Sequence, residues 1–76
     1  MNQESARKIF SPAQAEVEYA KLLREIAALD AAGKNDSDEA VAVREKMEIP
    51  WLALDAAGVE RMTDLSIALY ENDEAK

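Results

Sequence analysis

Apolar residues recur along this chain at spacings of three and four, and no alternating apolar and polar run of strand type appears. Ser11-Pro12-Ala13-Gln14 is a helix start: a serine N-cap, a proline at the first helical position, where a missing N–H costs nothing, and a glutamine at the capping-box position. From Pro12 onward, Ala15, Tyr19, Leu22, Leu23, Ile26 and Leu29 fall on one face at 3.6 residues per turn. Gly33 stops this helix after about six turns.

Lys34-Asn35-Asp36-Ser37 predicts a short turn, with Asp36 or Ser37 capping the next helix and Asp38 and Glu39 placed well against its N-terminal dipole. Ala40, Val43 and Met47 form its stripe. Pro50 is expected to end it, because the residue before a proline, here Ile49, is biased away from helical geometry. Trp51, Leu52 and Leu54 then make a short apolar link. Asp55 caps a last helix whose inner side carries Val59, Met62, Leu65, Leu69 and Tyr70, and whose outer side carries Glu60, Asp64 and Glu71.

The expected fold is therefore all-α: a small helical hairpin or three-helix bundle over residues 11–71. Residues 1–10, polar and without a sustained period, are expected to form a poorly ordered N-terminal segment, and the acidic tail 72–76 to fray. With 76 residues the chain is one small domain, and a core of that size leaves completion by oligomerisation or by a partner open. The hexapeptide Ala-Leu-Asp-Ala-Ala-Gly occurs at 28–33 and again at 53–58, but the flanks differ; the first copy closes a helix and the second opens one, so no repeat architecture follows.

Composition narrows the chemistry. There is no cysteine and no histidine, which removes thiolate nucleophiles, sulfur-ligated metals, imidazole bases and most transition-metal sites. Only two glycines occur, and they form no phosphate-cradling loop. No catalytic, cofactor-binding or metal-binding residue is assigned, and the chain is expected not to be an enzyme. Asp36, Asp38 and Glu39 fail the calcium-loop spacing, since counting from Asp36 puts Ala40 at position 5 and Val41 at position 6; they read as caps and solvated charge. Glu16, Glu18, Glu25, Glu45 and Glu48 lack the histidine partners of a bundle di-metal site; Glu18, Glu25, Glu45 and Glu48 also avoid the centres of the apolar faces on a helical wheel, so solvated side chains are expected.

The net charge is −7. Residues 1–34 hold five basic and five acidic side chains and residues 35–76 hold four and eleven, so all of it lies in the second part. A field of that sign disfavours direct nucleic-acid binding, which draws its affinity from Lys and Arg displacing counterions. No stretch reaches the roughly 18 to 20 apolar residues of a membrane span, and Arg7 and Lys8 are followed by Ser11-Pro12 in place of the apolar run of a secretory signal. A cytoplasmic location is the expectation.

Four residues stand out as candidate partner contacts. On ideal wheels Ile67 points among Glu60, Asp64 and Glu71, and Val41 lies about 120° from the line of Ala40, Val43 and Met47. Val17, with Ala20, Ala27, Ala28 and Ala31, forms a flank of small apolar residues beside the main stripe of its helix, and alanine kept for helix propensity is the competing reading. Trp51 reads as a plug at the end of the helical hairpin, with a partner anchor as the alternative.

Asp36-Ser37, Glu39-Ala40, Arg44, Met47, Pro50-Trp51, Leu54, Glu60-Arg61, Leu65-Ser66 and Leu69-Tyr70 together resemble a pattern of small uncharacterised helical proteins of bacteria, of planctomycete type. The resemblance spans Asp36 to Glu71, consists of caps and packing residues, and implies no activity. Where that pattern has acidic residues this chain has Val41 and Ala68, and where it has alanine this chain has Ile67. Each departure makes an outer surface more apolar. Two functional expectations follow: a non-catalytic interaction module that binds a protein partner or its own copy through residues off the core stripes, or an acidic mimic of nucleic acid that occupies the basic groove of a nucleic-acid-binding protein.

Overall fold

The computed structural model describes residues 2–74, which form four helices and no strand: α1 (Gln3–Ile9), α2 (Pro12–Ala31), α3 (Asp38–Ala53) and α4 (Ala56–Glu74). Each of the three long helices starts where its cap residue predicts. Ser11 and Gln14 make both bonds of the capping box, the Ser11 hydroxyl accepting from the Gln14 N–H at 3.2 Å and the Gln14 side chain accepting from the Ser11 N–H at 3.2 Å. The Ser37 hydroxyl accepts from the Ala40 N–H at 3.2 Å, and an Asp55 carboxylate oxygen accepts from the Gly58 N–H at 2.7 Å. At the end of α2, Gly33 takes φ +75°, and the Gly33 and Lys34 N–H groups donate back to the carbonyls of Asp30 and Leu29. That is the pair of bonds that closes a helix around a left-handed residue.

Helix α2 is the hub. Helix α3 folds back antiparallel along it, α4 returns beside it in the direction of α2, and α1 packs on α3. Leu22, Leu23, Ile26, Ala40 and Val43 form one core cluster, and Ala6, Ala15, Ala53, Leu54 and Met62 form a second; Tyr19 and Leu65 pack against both. Alanine supplies much of this interior, and among the described residues no polar or charged one is buried. The result is a flattened body of 39 × 26 × 15 Å.

Two expectations need correction. Residues 3–9 are helical: Asn2 caps α1 by accepting from the Ser5 N–H at 2.8 Å, and Ala6 is fully buried. Arg7 donates to the carbonyls of Ala53 and Leu54, at 3.4 and 3.1 Å, and Gln3 donates to that of Leu54, at 3.4 Å. Helix α1 therefore occupies the otherwise open carbonyl end of α3, which is why so short a segment is ordered. The bundle gains a fourth helix.

Pro50, moreover, does not end α3. The helix runs to Ala53 with Pro50 inside it and buried, and Trp51 and Leu52 belong to its last turn. The inward spacing Ala40, Val43, Met47, Pro50, Leu54 continues through the proline, so burial of the last turn outweighs the lost backbone hydrogen bond. At the other terminus α4 is described to Glu74, and residues 75 and 76 of the tail expected to fray lie outside the described residues.

Candidate interaction surface

The four residues singled out from sequence are among the large apolar side chains that remain exposed: Val17 at 73%, Ile67 at 50%, Val41 at 47% and Trp51 at 38%. Ile9, which the sequence did not single out, is exposed to 53%. Their spatial grouping is uneven. Val17 stands on the outer side of α2 between two grooves. One, of about 470 Å³, is formed with Ile9, Phe10 and Ala13 where α1 turns into α2, and Gln14 and Glu18 edge it. The other, of about 410 Å³, lies between α2 and α4, where Ala20, Met62 and Leu65 make an apolar floor and Arg24 and Arg61 edge it. Val41, Trp51 and Ile67 line neither.

Trp51 is a corrected assignment. Its ring sits 5.1 Å from that of Tyr19, centroid to centroid, tilted by 42°. It therefore lies along the flank where α3 meets α2 and does not seal the end of the hairpin, and with Arg44, Met47 and Glu48 it borders a shallow depression. Tyr19 beneath it is half-buried, and burial raises its phenol pKa above the ordinary value.

Among the glutamates weighed from sequence, Glu16 has a partner that no local pattern announced. Arg61 on α4 reaches both of its carboxylate oxygens, with Nε at 3.0 and 2.9 Å and Nη2 closing the fork. The hydrogen bonds from Arg61, aided by its charge, hold the Glu16 carboxyl below its ordinary pKa against partial desolvation and the Asp55 carboxylate, and Glu16 in turn raises Arg61. This clasp joins α2 to α4 at the rim of the second groove. Because its pKa is lower folded than unfolded, Glu16 contributes stability above the ordinary glutamate pKa, and the contribution disappears as pH falls through the lowered value. Thermal melts of the parent chain and of Glu16→Gln should differ at neutral pH and converge in acid. Melting curves separated by the same interval at every pH would show that the clasp contributes nothing.

Among the described residues, no group of three or more Asp, Glu, His or Cys side chains could hold a metal ion. No helix there is long and apolar enough to cross a membrane. The chain matches no family model, and no curated protein and no solved structure matches it.

Proposed function

We propose that this protein is a non-catalytic protein–protein interaction module, or small accessory subunit, that associates through apolar helix faces. The observation that carries the reading is the exposure of Val17, Val41, Trp51 and Ile67, large apolar side chains on three helices of a chain whose own interior is largely alanine and leucine. Scattered exposed apolar residues are ordinary; two apolar grooves flanking the most exposed of them are less so. The resemblance over Asp36 to Glu71 points the same way, since Val41, Ile67 and Ala68, its departures, are all exposed.

Affinity capture with the parent chain and with single Val17→Glu, Val41→Glu and Ile67→Glu variants tests this. Loss of captured protein, with helical circular dichroism unchanged, is expected from at least one of them. Identical captures from all four chains would reject the apolar-face assignment. The acidic-mimic reading has its own support, because every acidic side chain from Asp36 to Asp64 is exposed. Salt separates the two: at about 0.5 M, contacts between exposed charges are heavily screened, while apolar contacts persist.

A further inference from the structure

We infer that the open half of the furrow between α2 and α3, on the side of the bundle that α1 covers, is a docking site for a basic amphipathic helix of another protein. The inference deepens the interaction reading above, rests on it, and names the partner's chemistry.

Helix α1 shows what this side of the pair takes. On α3 it covers the fully buried Ala53, and Lys46 and Ala42 continue the line of Ala53 back along that helix at spacings of seven and four. On α2, Gln14 and Glu18 line one groove with Ile9 and Phe10, and Glu25 and Leu29 carry their line onward at spacings of seven and four. With only seven residues, α1 covers the end of the pair where α2 begins and α3 ends. Beyond it the furrow is open. It encloses about 480 Å³ over Leu29 and Val43, and its walls carry the small side chains of Ala28 and Ala42, so a helix can approach the floor closely. From Glu39 to Lys46 it runs for two helical turns, about 10 Å.

Rim charge selects the occupant. Glu25 stands on the α2 rim and Glu39 on the α3 rim; Lys46 is the cation among the lining residues, and none of the three is in an ion pair among the described residues. Unpaired carboxylates on both rims, in a body of net charge −7, favour Lys and Arg on both flanks of the occupant's apolar stripe and repel an acidic helix. The same sign works against a second copy of this chain. Helix α1 carries the favoured chemistry on a small scale, with Ala6 turned inward and Arg7 and Lys8 exposed.

The test titrates the full chain with a capped helical peptide of about fourteen residues, long enough to hold a helix, with one alanine–leucine face and one lysine–arginine face. Salt of about 0.15 M screens charges beyond roughly 8 Å, so only the rim should matter. Saturable methyl shifts are expected in the NMR spectrum at Ala28, Leu29, Ala42 and Val43. Glu25→Lys combined with Glu39→Lys should weaken binding about tenfold, and Lys46→Glu should tighten it about threefold, a gain that misfolding cannot produce. Glu60→Lys combined with Asp64→Lys makes the same change in net charge on the outer side of α4 and should cost less than about twofold. No binding at about 1 mM peptide, equal losses from the two pairs of reversals, shifts centred outside the furrow, or equal binding of a counterpart peptide with Glu for Lys and Arg would each overturn the inference. The interaction reading would then still stand or fall on the captures with the Val17, Val41 and Ile67 variants, since none of those residues lines this furrow.

Discussion

Leu54→Ala should destabilise the chain by about 2–5 kcal/mol, the range for deleting a fully buried leucine side chain. Leu54 is 1% exposed and, with Pro50, one of the two largest completely buried side chains. It sits at the α3–α4 corner in the cluster that joins Ala6, Ala15, Ala53 and Met62, so it touches the interests of all four helices. Its neighbours are poorly suited to fill the space. Three of them are alanines, and the first turn of α4 is already close: a Cβ on Gly58 would lie 3.1 Å from Leu54 Cδ2 and 3.1 Å from the Asp55 carboxylate that caps the helix. A domain of this length has a total stability of about 4–11 kcal/mol, and a small core places it toward the lower end. The substitution should therefore remove a large share of the native state's margin. Urea unfolding followed by circular dichroism checks this through the midpoint. An unchanged midpoint would mean that the corner is not a structural centre.

Leu54 also shows where sequence reading stops. Periodicity and caps specified α2 and the starts of α3 and α4 because each signal is local: a serine hydroxyl bonds the N–H three residues on, and a left-handed glycine closes the turn before it. The same hexapeptide closes α2 and opens α4, according to whether the glycine lies beyond a helix or inside its first turn. Pro50 misled because its local penalty was weighed without the burial that Ala53 and Leu54 gain once the last turn is helical. The Glu16–Arg61 clasp bridges 45 positions and follows from the placement of α4 beside α2, which no window of sequence contains. Of the candidate surface, the outward placement of Val41 and Ile67 was legible on helical wheels and Val17 was legible as part of a flank beside the main stripe, whereas Trp51 read as a plug because its place on a helix beyond Pro50 was not foreseen. The union of Val17 with Ile9, Phe10, Met62 and Leu65 was not legible, since it depends on how three helices meet.

Helix α1 is the clearest instance, and it leads to the second large effect. Its local signals are real: Asn2 at the cap, Glu4 in the first turn, and Arg7 and Lys8 in the last, where they complement the dipole. Seven residues nevertheless cannot sustain a helix in water, so its order comes from docking. Ala6 fills that contact without exposure, and Arg7 and Gln3 satisfy the terminal carbonyls of α3. Ala6→Glu should therefore undock α1, because a carboxylate cannot remain unpaired in an apolar contact and a short segment leaves more readily than it buries a charge. The loss is expected at about 2–3 kcal/mol, made up of the hydrogen bonds to Ala53 and Leu54 and the cover over the core cluster that contains Leu54 and Met62. Hydrogen exchange locates it: the amides of residues 6–9 should lose protection while those of Leu22, Leu23 and Ile26, in the cluster remote from α1, keep most of theirs. Protection retained across residues 6–9 would show that α1 is held by something other than Ala6. Because Ile9 and Phe10 wall the first groove beside Val17, undocking α1 should also reshape that groove, which links the order of the N-terminal helix to the apolar surface on which the proposed interaction role rests.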